Sequence, residues 1–528
     1  MQPVLTAEDV RRQDAEAAEH GVGVEALMGN AGRAVARAAR RMLGATYGRR
    51  IVVLCGKGNN AGDGLVAARV LASQGAAVSI VTVFDEMNEL GKLQRARFRG
   101  RVVGLEGAGR ELARADLAVD AIFGVGLSRP PEGPARAAID MLRAAHDSDG
   151  LPVLAVDVPS GLDADTGRIA GEDLAPLGCV RADATLTLGG YKPGLMFEPG
   201  RSLAGVVEVA DIGTRGVPSA FALDATDVAL WWPLRRPSEH KRSAGTVLVI
   251  AGSRAMPGAA ALASLASVHA GAGLTVLCAP DDVCRAAIAR VPEITTIPVP
   301  ESSEGTIDEK ALDLIVPRLD EFHAIAIGPG LSRHPATVEF VRALLPKIDG
   351  PLVLDADALN AFAGAPEPLR LRARNTTVLT PHAGELARLA GVDPAEIAAD
   401  RLTVARRVAE QLGCVLTLKG PGTVTMAMVE DGQGARAMAF VNPTGGAALA
   451  QGGTGDVLTG IIASVLAQTA GSVSPSRLPA DAVPSRVAAA VWVHGRAADR
   501  IAHRIAPHPA NATALAEELG ATIHEVCA

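Results

Sequence analysis

Asp157 and Lys192 each follow an apolar run of the sequence, and together they could exchange protons with a bound molecule. Asp157 opens the segment DVPSGLD after LPVLAV, and Lys192 lies in GGYKPGL after ATLTL. A carboxylate and an amine at neighbouring strand ends can act as acid and base, and they can equally form a structural ion pair. The residue types alone leave both interpretations open.

Asp456 stands at a second place where side-chain types predict chemistry. It follows Gly452, Gly453, Thr454 and Gly455 and precedes the apolar run VLTGIIASVL. Glycines and a hydroxyl at a helix N-terminus form a cradle for phosphate. A carboxylate there can take the proton of a hydroxyl that attacks the phosphate. The alternative, in which Asp456 only caps the helix, does not require the preceding glycines, so we favour phosphoryl transfer.

A glycine-rich segment, GKGNNAGDG over residues 56–64, follows the apolar run IVVLC. We predict that a helix opens at Asp63 and Gly64 and that backbone N–H groups near its start hold phosphate. Such a loop is weak evidence by itself, because many simply turn. The polar residues Asn59, Asn60 and Asp63 favour a binding role.

Three polar residues near strand ends predict a cation site. Asn60, Asp120 and Ser160 offer oxygen ligands of low total charge. This set suits a weakly bound monovalent cation better than zinc.

The elements that must position these residues alternate along the chain. Short apolar runs, each followed by a helix-like stretch, are typical of parallel strands buried on both faces. Residues 213–240 interrupt the alternation with proline, glycine and charge, and it then restarts with different motifs. We therefore predict the α/β class throughout, with a Rossmann-like three-layer domain over residues 1–215 and a different α/β domain over residues 216–528. Residues 1–25 are predicted to be helical and available for an interface.

Composition argues against several other classes of protein. The net charge is −7, aromatic residues make up 3%, and we see no basic block, so we expect no nucleic-acid partner. The six cysteines are scattered, which favours reduced thiols in the cytoplasm. The N-terminus shows no apolar signal core, and residues 261–280 read as a buried helix running into a strand, so we expect no membrane association.

The N-terminal motifs resemble those of the NAD(P)H-hydrate epimerase domain. GKGNNAGDG, DAIFGVGL, VDVPSGLDADTG and ADATLTLGGYKPGL carry the resemblance, from about residue 27 to about residue 211. It implies that Asn60, Asp120 and Ser160 bind K⁺ and that Asp157 contacts the hydrated ring. The implied substrate contacts are Asn59, Asn60, Ala61, Gly62, Asp63, Gly124, Val125, Gly126, Leu127, Ser128, Arg129, Pro130 and Asp157. Ala61 stands where the family usually has glycine, and its methyl is tolerated if its φ is negative.

The C-terminal motifs resemble the ribokinase-like fold and, within it, the ADP-dependent NAD(P)H-hydrate dehydratase. The resemblance runs from about residue 224 to about residue 514 and rests on KGPGT, GGTGD, HKRSAGTVLVIAGS, AIGPGL, LDADALN and TPHAGE. It implies substrate contacts from Ala260, Gly330, His382 and Asp456. The implied nucleotide contacts are Lys419, Gly420, Pro421, Gly422, Thr423 and Gly455. Mg²⁺ is expected beside the transferring phosphates, although the motifs show no ligands for it.

The two resemblances together predict repair of hydrated NADH and NADPH. The first domain would interconvert the R and S epimers at C6, with Asp157 and Lys192 serving the proton exchange. The second would dehydrate the S epimer with ADP as co-substrate, releasing AMP and phosphate. One alternative is a vitamin or sugar kinase with a non-catalytic dinucleotide-binding domain, and another is an N-terminal half that only binds a dinucleotide or a partner protein. We also expect a homo-oligomer.

Overall fold

The computed structural model describes residues 1–127, 129–169, 178–372, 376–431, 434–472, 481–505 and 510–528. Over these residues the chain forms two compact units, Gln2–Phe221 and Ala222–Ala528. Each unit is built on a largely parallel sheet, as the alternation of apolar runs and helical stretches predicts.

The first unit contains one sheet of seven parallel strands. The unit also contains β1 (Gln2–Val4), which is not part of this sheet. The seven strands of the sheet are β2 (Arg50–Cys55), β3 (Ala77–Thr82), β4 (Arg101–Gly104), β5 (Leu117–Ala121), β6 (Val153–Val156), β7 (Ala184–Leu188) and β8 (Val206–Ala210). The sheet order is β4-β3-β2-β5-β6-β7-β8, with every neighbouring pair parallel. The order reverses between β2 and β5, which opens a crevice at the carboxyl ends of those strands.

Helices cover both faces of this sheet. They are α1 (Ala7–Glu19), α2 (Val24–Leu43), α3 (Asn59–Ser73), α4 (Glu89–Arg97), α5 (Ala108–Leu112), α6 (Gly133–Asp149) and α7 (Gly200–Ala204). Ile51 and Val53 of β2 pack in the core with α2 and α3, whereas Val52 and Leu54 pack in the core with α6. The strand is therefore buried on both faces, and the predicted three-layer Rossmann-like domain is confirmed.

The second unit contains a larger sheet. From the boundary between the units onwards the strands are β9 (Ala220–Ala222), β10 (Thr246–Ile250), β11 (Leu274–Pro280), β12 (Thr295–Val299), β13 (Ala324–Ile327), β14 (Leu352–Leu354), β15 (Thr377–Leu379), β16 (Val415–Leu418), β17 (Val424–Asp431) and β18 (Gly434–Val441). Nine of them run in the order β18-β17-β16-β15-β14-β13-β10-β11-β12. The strands from β16 to β12 are parallel, and β17 and β18 add an antiparallel pair. The order reverses between β10 and β13.

The helices of the second unit include two that pack backbone against backbone. The helices are α8 (Ala225–Trp231), α9 (Pro257–His269), α10 (Asp281–Ile288), α11 (Leu312–Ile315), α12 (Pro335–Leu344), α13 (Ala356–Asn360), α14 (Glu367–Arg370), α15 (Ala383–Ala390), α16 (Pro394–Ala399), α17 (Arg401–Leu412), α18 (Thr454–Ser472), α19 (Ala482–Ile505) and α20 (Ala512–Cys527). A Cβ at Gly460 of α18 would lie 2.1 Å from the carbonyl oxygen of Ala263 in α9. This glycine therefore allows the two helices to touch. The helix-then-strand prediction for residues 261–280 is confirmed by α9 and β11.

The cysteines and the helix lengths also bear on the sequence analysis. All six cysteines are free thiols, and five of them are buried. Among the described helices, none is long and apolar enough to cross a membrane.

Candidate active sites

A cleft of about 840 Å³ opens in the first unit at the point where the strand order reverses. The loops after β2 and β5 line it together with residues of α1 and α2. Eleven residues predicted from the sequence face this cleft: Asn59, Asn60, Asp63, Gly124, Val125, Gly126, Leu127, Arg129, Pro130, Asp157 and Lys192. Its volume suits a small organic molecule or most of a dinucleotide.

Two of the predicted substrate residues, Ala61 and Gly62, do not line the cleft. Helix α3 begins at Asn59, earlier than the predicted start at Asp63, so Ala61 and Gly62 belong to its first turn. Ala61 has no positive φ, and its side chain is fully buried in the core. A Cβ at Gly62 would lie 2.3 Å from Cε of Met28, so this glycine permits close packing and not a turn. Ser128 lies outside the described residues.

Asp157 and Lys192 form a buried ion pair at the floor of the cleft. The Nζ atom of Lys192 lies 2.6 Å from Oδ1 of Asp157, and the two side chains are 1% and 10% exposed. The same Oδ1 accepts the backbone N–H of Leu188 at 3.0 Å. Lys192 also donates to the carbonyl of Leu188 at 2.7 Å. The ammonium is thus held by strand-end backbone, and its direction is fixed.

The second carboxylate oxygen of Asp157 is available to a ligand. Within the described part of the chain no residue donates a hydrogen bond to Oδ2. A Cβ at Gly124 would lie 3.5 Å from this Oδ2 and 3.4 Å from Oδ1 of Asn60. Asp157 also has a φ of 68°, which is rare for a residue with a side chain. Such strain persists when surrounding structure enforces it, and it is common at functional positions.

The three predicted cation ligands meet at the loop after β5. Ser160 donates through Oγ to Oδ1 of Asp120 at 2.6 Å, and its backbone N–H donates to Oδ2 at 2.8 Å. The side-chain amide of Asn60 donates to the carbonyl of Phe123 at 2.8 Å, and Ser160 Oγ lies 3.3 Å from the same carbonyl. Burial raises the pKa of Asp120 to about 6, although the hydrogen bonds from Ser160 oppose it. The carbonyl of Phe123 is an oxygen donor that the sequence analysis missed, since backbone atoms leave no mark in a motif.

Asp14 is a further carboxylate of the cleft that the sequence analysis did not assign. It comes from α1 and lines the cleft with Asp157 and Lys192. Burial and the negative charge of Asp157 raise its pKa. Burial raises the pKa of Asp63 well above its usual value, and the charges of Asp157 and Asp14 add to this effect.

The second candidate site lies at the carboxyl edge of the larger sheet. Lys419 follows β16, His382 lies beyond β15, and Asp355 follows β14. The Nζ atom of Lys419 lies 2.6 Å from Oδ1 of Asp355 and 3.9 Å from Oε2 of Glu385. Burial disfavours the ammonium of Lys419, but Asp355 and Glu385 outweigh that effect and raise its pKa.

Asp456 lies in the first turn of α18, which begins at Thr454. It is therefore the third residue of the helix and not the residue that precedes it. Burial raises the pKa of Asp456 to about 7, with a further contribution from Asp355. A Cβ at Gly455 would lie 3.4 Å from Nζ of Lys419, so the glycine-rich turn closely approaches this lysine. A carboxylate with a pKa near neutrality can accept a proton and release it again.

The KGPGT loop is fixed by its neighbours. The N–H of Lys419 donates to the carbonyl of Pro381 at 2.8 Å. The guanidinium of Arg401 donates to the carbonyls of Leu418 and Lys419. Gly420 and Gly422, which flank Pro421, have φ angles of 144° and 65°, a backbone conformation that other residues rarely adopt. Thr423 closes the turn by donating through Oγ1 to the carbonyl of Gly420 at 2.9 Å.

The predicted substrate residues of this unit fall into two groups. His382 caps α15, and its Nε2 lies 3.3 Å from Oε1 of Glu385, which connects it to the Lys419 cluster. Gly330 has a φ of 64°, and a Cβ there would lie 2.9 Å from Cβ of Ala259, the residue before Ala260. Ala260 is fully buried, so its side chain serves packing. Gly330 and Ala260 lie near the point where the strand order reverses, between β10 and β13.

Asp355, Glu385 and His494 were not assigned roles from the sequence. Asp355 stands in LDADALN and Glu385 in TPHAGE. Each is an acidic residue shortly after an apolar run, and that position could have indicated a site residue. His494 of α19 is buried, and its Nε2 lies 2.9 Å from the carbonyl of Thr454 at the start of α18. Burial lowers the pKa of His494 to about 4, so it is neutral at physiological pH and donates from Nε2. No sequence pattern connects these distant positions.

Both halves of the chain match known family models. The model for the YjeF-related protein N-terminus matches residues 24–194, and the model for NAD(P)H-hydrate dehydratase matches residues 247–521. Fold and sites thus define a two-part α/β enzyme of these families.

Two relatives match nearly the whole length of this chain as single proteins. The bifunctional NAD(P)H-hydrate repair enzyme Nnr of Moorella thermoacetica is 40% identical over 95% of this chain and 93% of its own length. The enzyme of the same name from Escherichia coli is 33% identical over 95% of this chain and 90% of its own. The solved ADP/ATP-dependent NAD(P)H-hydrate dehydratase of Bacillus subtilis, crystallised with ATP and Mg²⁺, is 30% identical over 57% of this chain and 97% of its own, with a TM-score of 0.45. The chain belongs to the family of bifunctional NAD(P)H-hydrate repair enzymes.

Proposed function

We propose that the chain repairs hydrated NADH and NADPH in two steps, with residues 1–215 as the epimerase and residues 216–528 as the dehydratase. The observation that carries this proposal is the presence of two separate sites of different chemistry. One is a cleft large enough for most of a dinucleotide, with a buried Asp157 and Lys192 pair. The other is a glycine-rich helix start with Asp456 beside a buried lysine. Membership of the repair family supports the same pairing of activities.

Epimerisation at C6 requires either the loss and return of water or an equivalent opening of the ring. Both routes need groups that give and take protons. In the proposal, Oδ2 of Asp157 faces the hydrated ring, while Oδ1 is held by Lys192 and by the backbone of Leu188. The fixed direction of the carboxylate lowers the entropic cost of reaching the reactive geometry.

The donor set in the first unit fits the predicted K⁺. Asn60, Asp120, Ser160 and the carbonyl of Phe123 present only oxygen atoms as acceptors and carry at most one negative charge. A bound K⁺ would offset the charge of Asp120 and stiffen the loop that carries Gly124. The proposed substrate contacts adjoin this loop.

Dehydration in the second unit proceeds in the proposal through a phosphate ester. Asp456 takes the proton of the C6 hydroxyl, whose oxygen attacks the β-phosphorus of ADP, and AMP leaves. The C6–O bond then breaks with loss of phosphate, and a proton leaves C5, which restores NAD(P)H. Phosphate is a much better leaving group than hydroxide, so consumption of the nucleotide drives the step. Lys419, Gly420, Pro421, Gly422, Thr423 and Gly455 are the proposed nucleotide contacts, and Gly330 and His382 the proposed substrate contacts. Ala260, which is fully buried, is not among them.

The described side chains do not form a protein site for Mg²⁺. Among them, no group of three or more His, Cys, Asp or Glu residues is arranged to hold a metal ion. The oxygens of Asp355 already accept from Lys419 and Thr459. Mg²⁺ commonly keeps several waters and binds substrate phosphates, and we derive no step through it.

The product of one incubation separates repair from the kinase alternative. The full chain is mixed with the S epimer of hydrated NADH and ADP, and the absorbance of the reduced nicotinamide is followed alongside AMP and phosphate. Repair predicts NADH, AMP and phosphate in equal amounts. A stable phosphorylated product with no return of absorbance would establish a kinase instead.

The proposal also includes a cytoplasmic location, where both substrates are made and used, and a homo-oligomer, which light scattering tests.

A further inference from the structure

Helix α1 presents one face to the cleft of the first unit. Val10, Gln13 and Asp14 line the cleft, and their spacing of three and four residues puts them on the same side of the helix. Asp14 is half-buried there. The helix is thus a wall of the cleft, and Asp14 is the carboxylate on that wall.

The position of α1 is fixed by contacts within the first unit. Thr6 and Asp9 form a reciprocal cap at its start. Asp9 also accepts the N–H of Ser219 at 3.0 Å, and the N–H of Ala7 donates to Asp165 at 2.7 Å. These bonds hold the helix at its N-terminal end, within two turns of Asp14.

Asp14 differs from Asp9 in that no described residue forms a bond with its carboxyl group. Asp9 accepts hydrogen bonds from the backbone of Thr6 and Ser219 and pairs with Arg12. Among the described residues, none forms a hydrogen bond or an ion pair with Asp14, and Asp63 is likewise without a partner for its carboxyl group. Burial of a carboxyl group without a hydrogen-bond partner costs stability, so a role other than stability would account for Asp14.

The charge balance of the cleft favours a proton on Asp14. Asp14, Asp63 and Asp157 share the cleft, and Lys192 is the buried ammonium beside them. Lys192 donates a hydrogen bond to Asp157 at 2.6 Å, and no described residue donates one to Asp14. Burial and the charge of Asp157 raise the pKa of Asp14, and the opposing effect of Lys192 is smaller, so the protonated form is favoured relative to a free aspartate. The cleft thus contains a charged carboxylate and an unpaired carboxyl group from different elements, the arrangement that acid–base catalysis requires.

We propose that Asp14 is a second catalytic residue of the epimerase, acting with Asp157 on the C6 hydroxyl of the hydrated ring. This inference rests on the proposed epimerase function. The C6–O bond breaks with its electron pair on oxygen, the proton of Asp14 converts the hydroxyl to water, and the lone pair of N1 forms a double bond to C6. A water molecule then adds to C6 from the other face, the N1–C6 pair returns to nitrogen, and the released proton goes to Asp157. Proton exchange through water resets the two carboxyl groups, and the reverse reaction uses them in opposite roles.

Two substitutions test the role of Asp14 in the full chain. Asp14→Asn removes the acid but keeps the shape, and Asp14→Glu keeps a carboxyl group. Glu19→Gln makes the same replacement of a carboxyl group by an amide at an exposed position of the same helix and is the control. Interconversion of the R and S epimers of hydrated NADH is measured without nucleotide, and binding of NADP⁺ to the cleft is measured separately.

We expect Asp14→Asn to lower kcat by about 100-fold or more with little change in KM, because general acid catalysis contributes about 10²–10⁴-fold. Asp14→Glu should recover part of the loss, and Glu19→Gln should match the wild type. A kcat for Asp14→Asn near that of the wild type, or a defect confined to KM, would overturn the inference. If Asp14→Asn no longer binds NADP⁺, the Asp14→Glu variant provides the test. An Asp14→Glu variant that binds NADP⁺ but is as inactive as Asp14→Asn would also overturn the inference. A wild-type chain without epimerisation would instead refute the proposed function itself.

Discussion

The Nζ atom of Lys419 lies 2.6 Å from Oδ1 of Asp355, and Thr459 donates to the other oxygen of the same carboxylate at 2.8 Å. Asp355 is 1% exposed and Lys419 20%. Asp355, which follows β14, thus contacts both Lys419 of the KGPGT loop and Thr459 in the second turn of α18. It therefore fixes the distance between the proposed nucleotide loop and Asp456.

Asp355→Asn should destabilise the second unit by about 3 kcal/mol, because it leaves a largely buried ammonium without its main partner. It should also raise the KM for ADP, since Lys419 loses its fixed direction. Urea unfolding and steady-state kinetics measure the two effects. Asp313→Asn, at an exposed position of α11, should change the free energy of unfolding by less than about 0.5 kcal/mol. Equal effects of the two substitutions would contradict the role given to the pair.

Asp456→Asn should abolish dehydration and leave epimerisation unchanged, because the two proposed sites lie in separate units. Loss of a general base lowers kcat by about 10²–10⁴-fold. Both activities are measured on the same purified variant, so epimerisation controls for folding of the first unit. Residual dehydration near the wild-type rate would remove Asp456 from the mechanism.

The pH dependence of dehydration follows from the raised pKa of Asp456. Its carboxyl group must lose its proton to act as a base, and its pKa is about 7. The rate with the S epimer should therefore fall about tenfold for each pH unit below that value. A rate that stays level down to about pH 5, near the ordinary carboxylate range, would show that Asp456 is not the base.

The same pKa gives a stability prediction with a definite sign. The folded-state pKa of Asp456 is higher than its unfolded-state value, so its contribution to stability is lost as pH rises towards 7. Asp456→Asn removes this penalty, and the free energy of unfolding of the second unit should improve more at about pH 8 than at about pH 5. Equal changes at both pH values would argue that the group is not perturbed in the folded chain.

Gly56→Ala and Gly58→Ala form a matched pair within the glycine-rich segment of the first unit. A Cβ at Gly56 would lie 1.9 Å from the carbonyl oxygen of Ile122, whereas a Cβ at Gly58 would meet no atom within 4 Å. Gly56→Ala should cost about 1–3 kcal/mol and displace the loop that carries Phe123 and Gly124. Gly58→Ala, at the cap of α3, should cost less than about 1 kcal/mol. Similar costs in thermal unfolding would refute the packing argument.

The sequence predicted those parts of the sites that strand ends position. Carboxyl ends of parallel strands meet at one edge, so Asp157 and Lys192, which follow β6 and β7, could be expected together. Asp120 and Ser160 meet for the same reason. The sequence patterns did not predict that α3 starts at Asn59. A glycine in a sequence suggests a loop both where it forms a turn and where it permits close packing inside a helix. A Cβ at Gly64 would lie 2.6 Å from Cβ of Ala121, and that contact depends on the whole fold.

The sequence motifs did not predict the side chains that helices distant in sequence bring to the sites. Asp14 reaches the cleft because α1 packs along it, and His494 reaches Thr454 because α19 packs on α18. Helical periodicity predicts that such a helix exists and which face is apolar. It does not predict which distant site that face covers.

The coupled conversion of the pure R epimer of hydrated NADH tests the central claim most directly. It is measured with ADP, under conditions where spontaneous epimerisation is slow, in the wild type and in Asp157→Asn. The account predicts that the wild type returns the R epimer to NADH, while Asp157→Asn binds NADP⁺ normally and accepts only the S epimer. Conversion of the R epimer by Asp157→Asn at the wild-type rate, or failure of the wild type to convert it at all, would contradict a two-site repair enzyme.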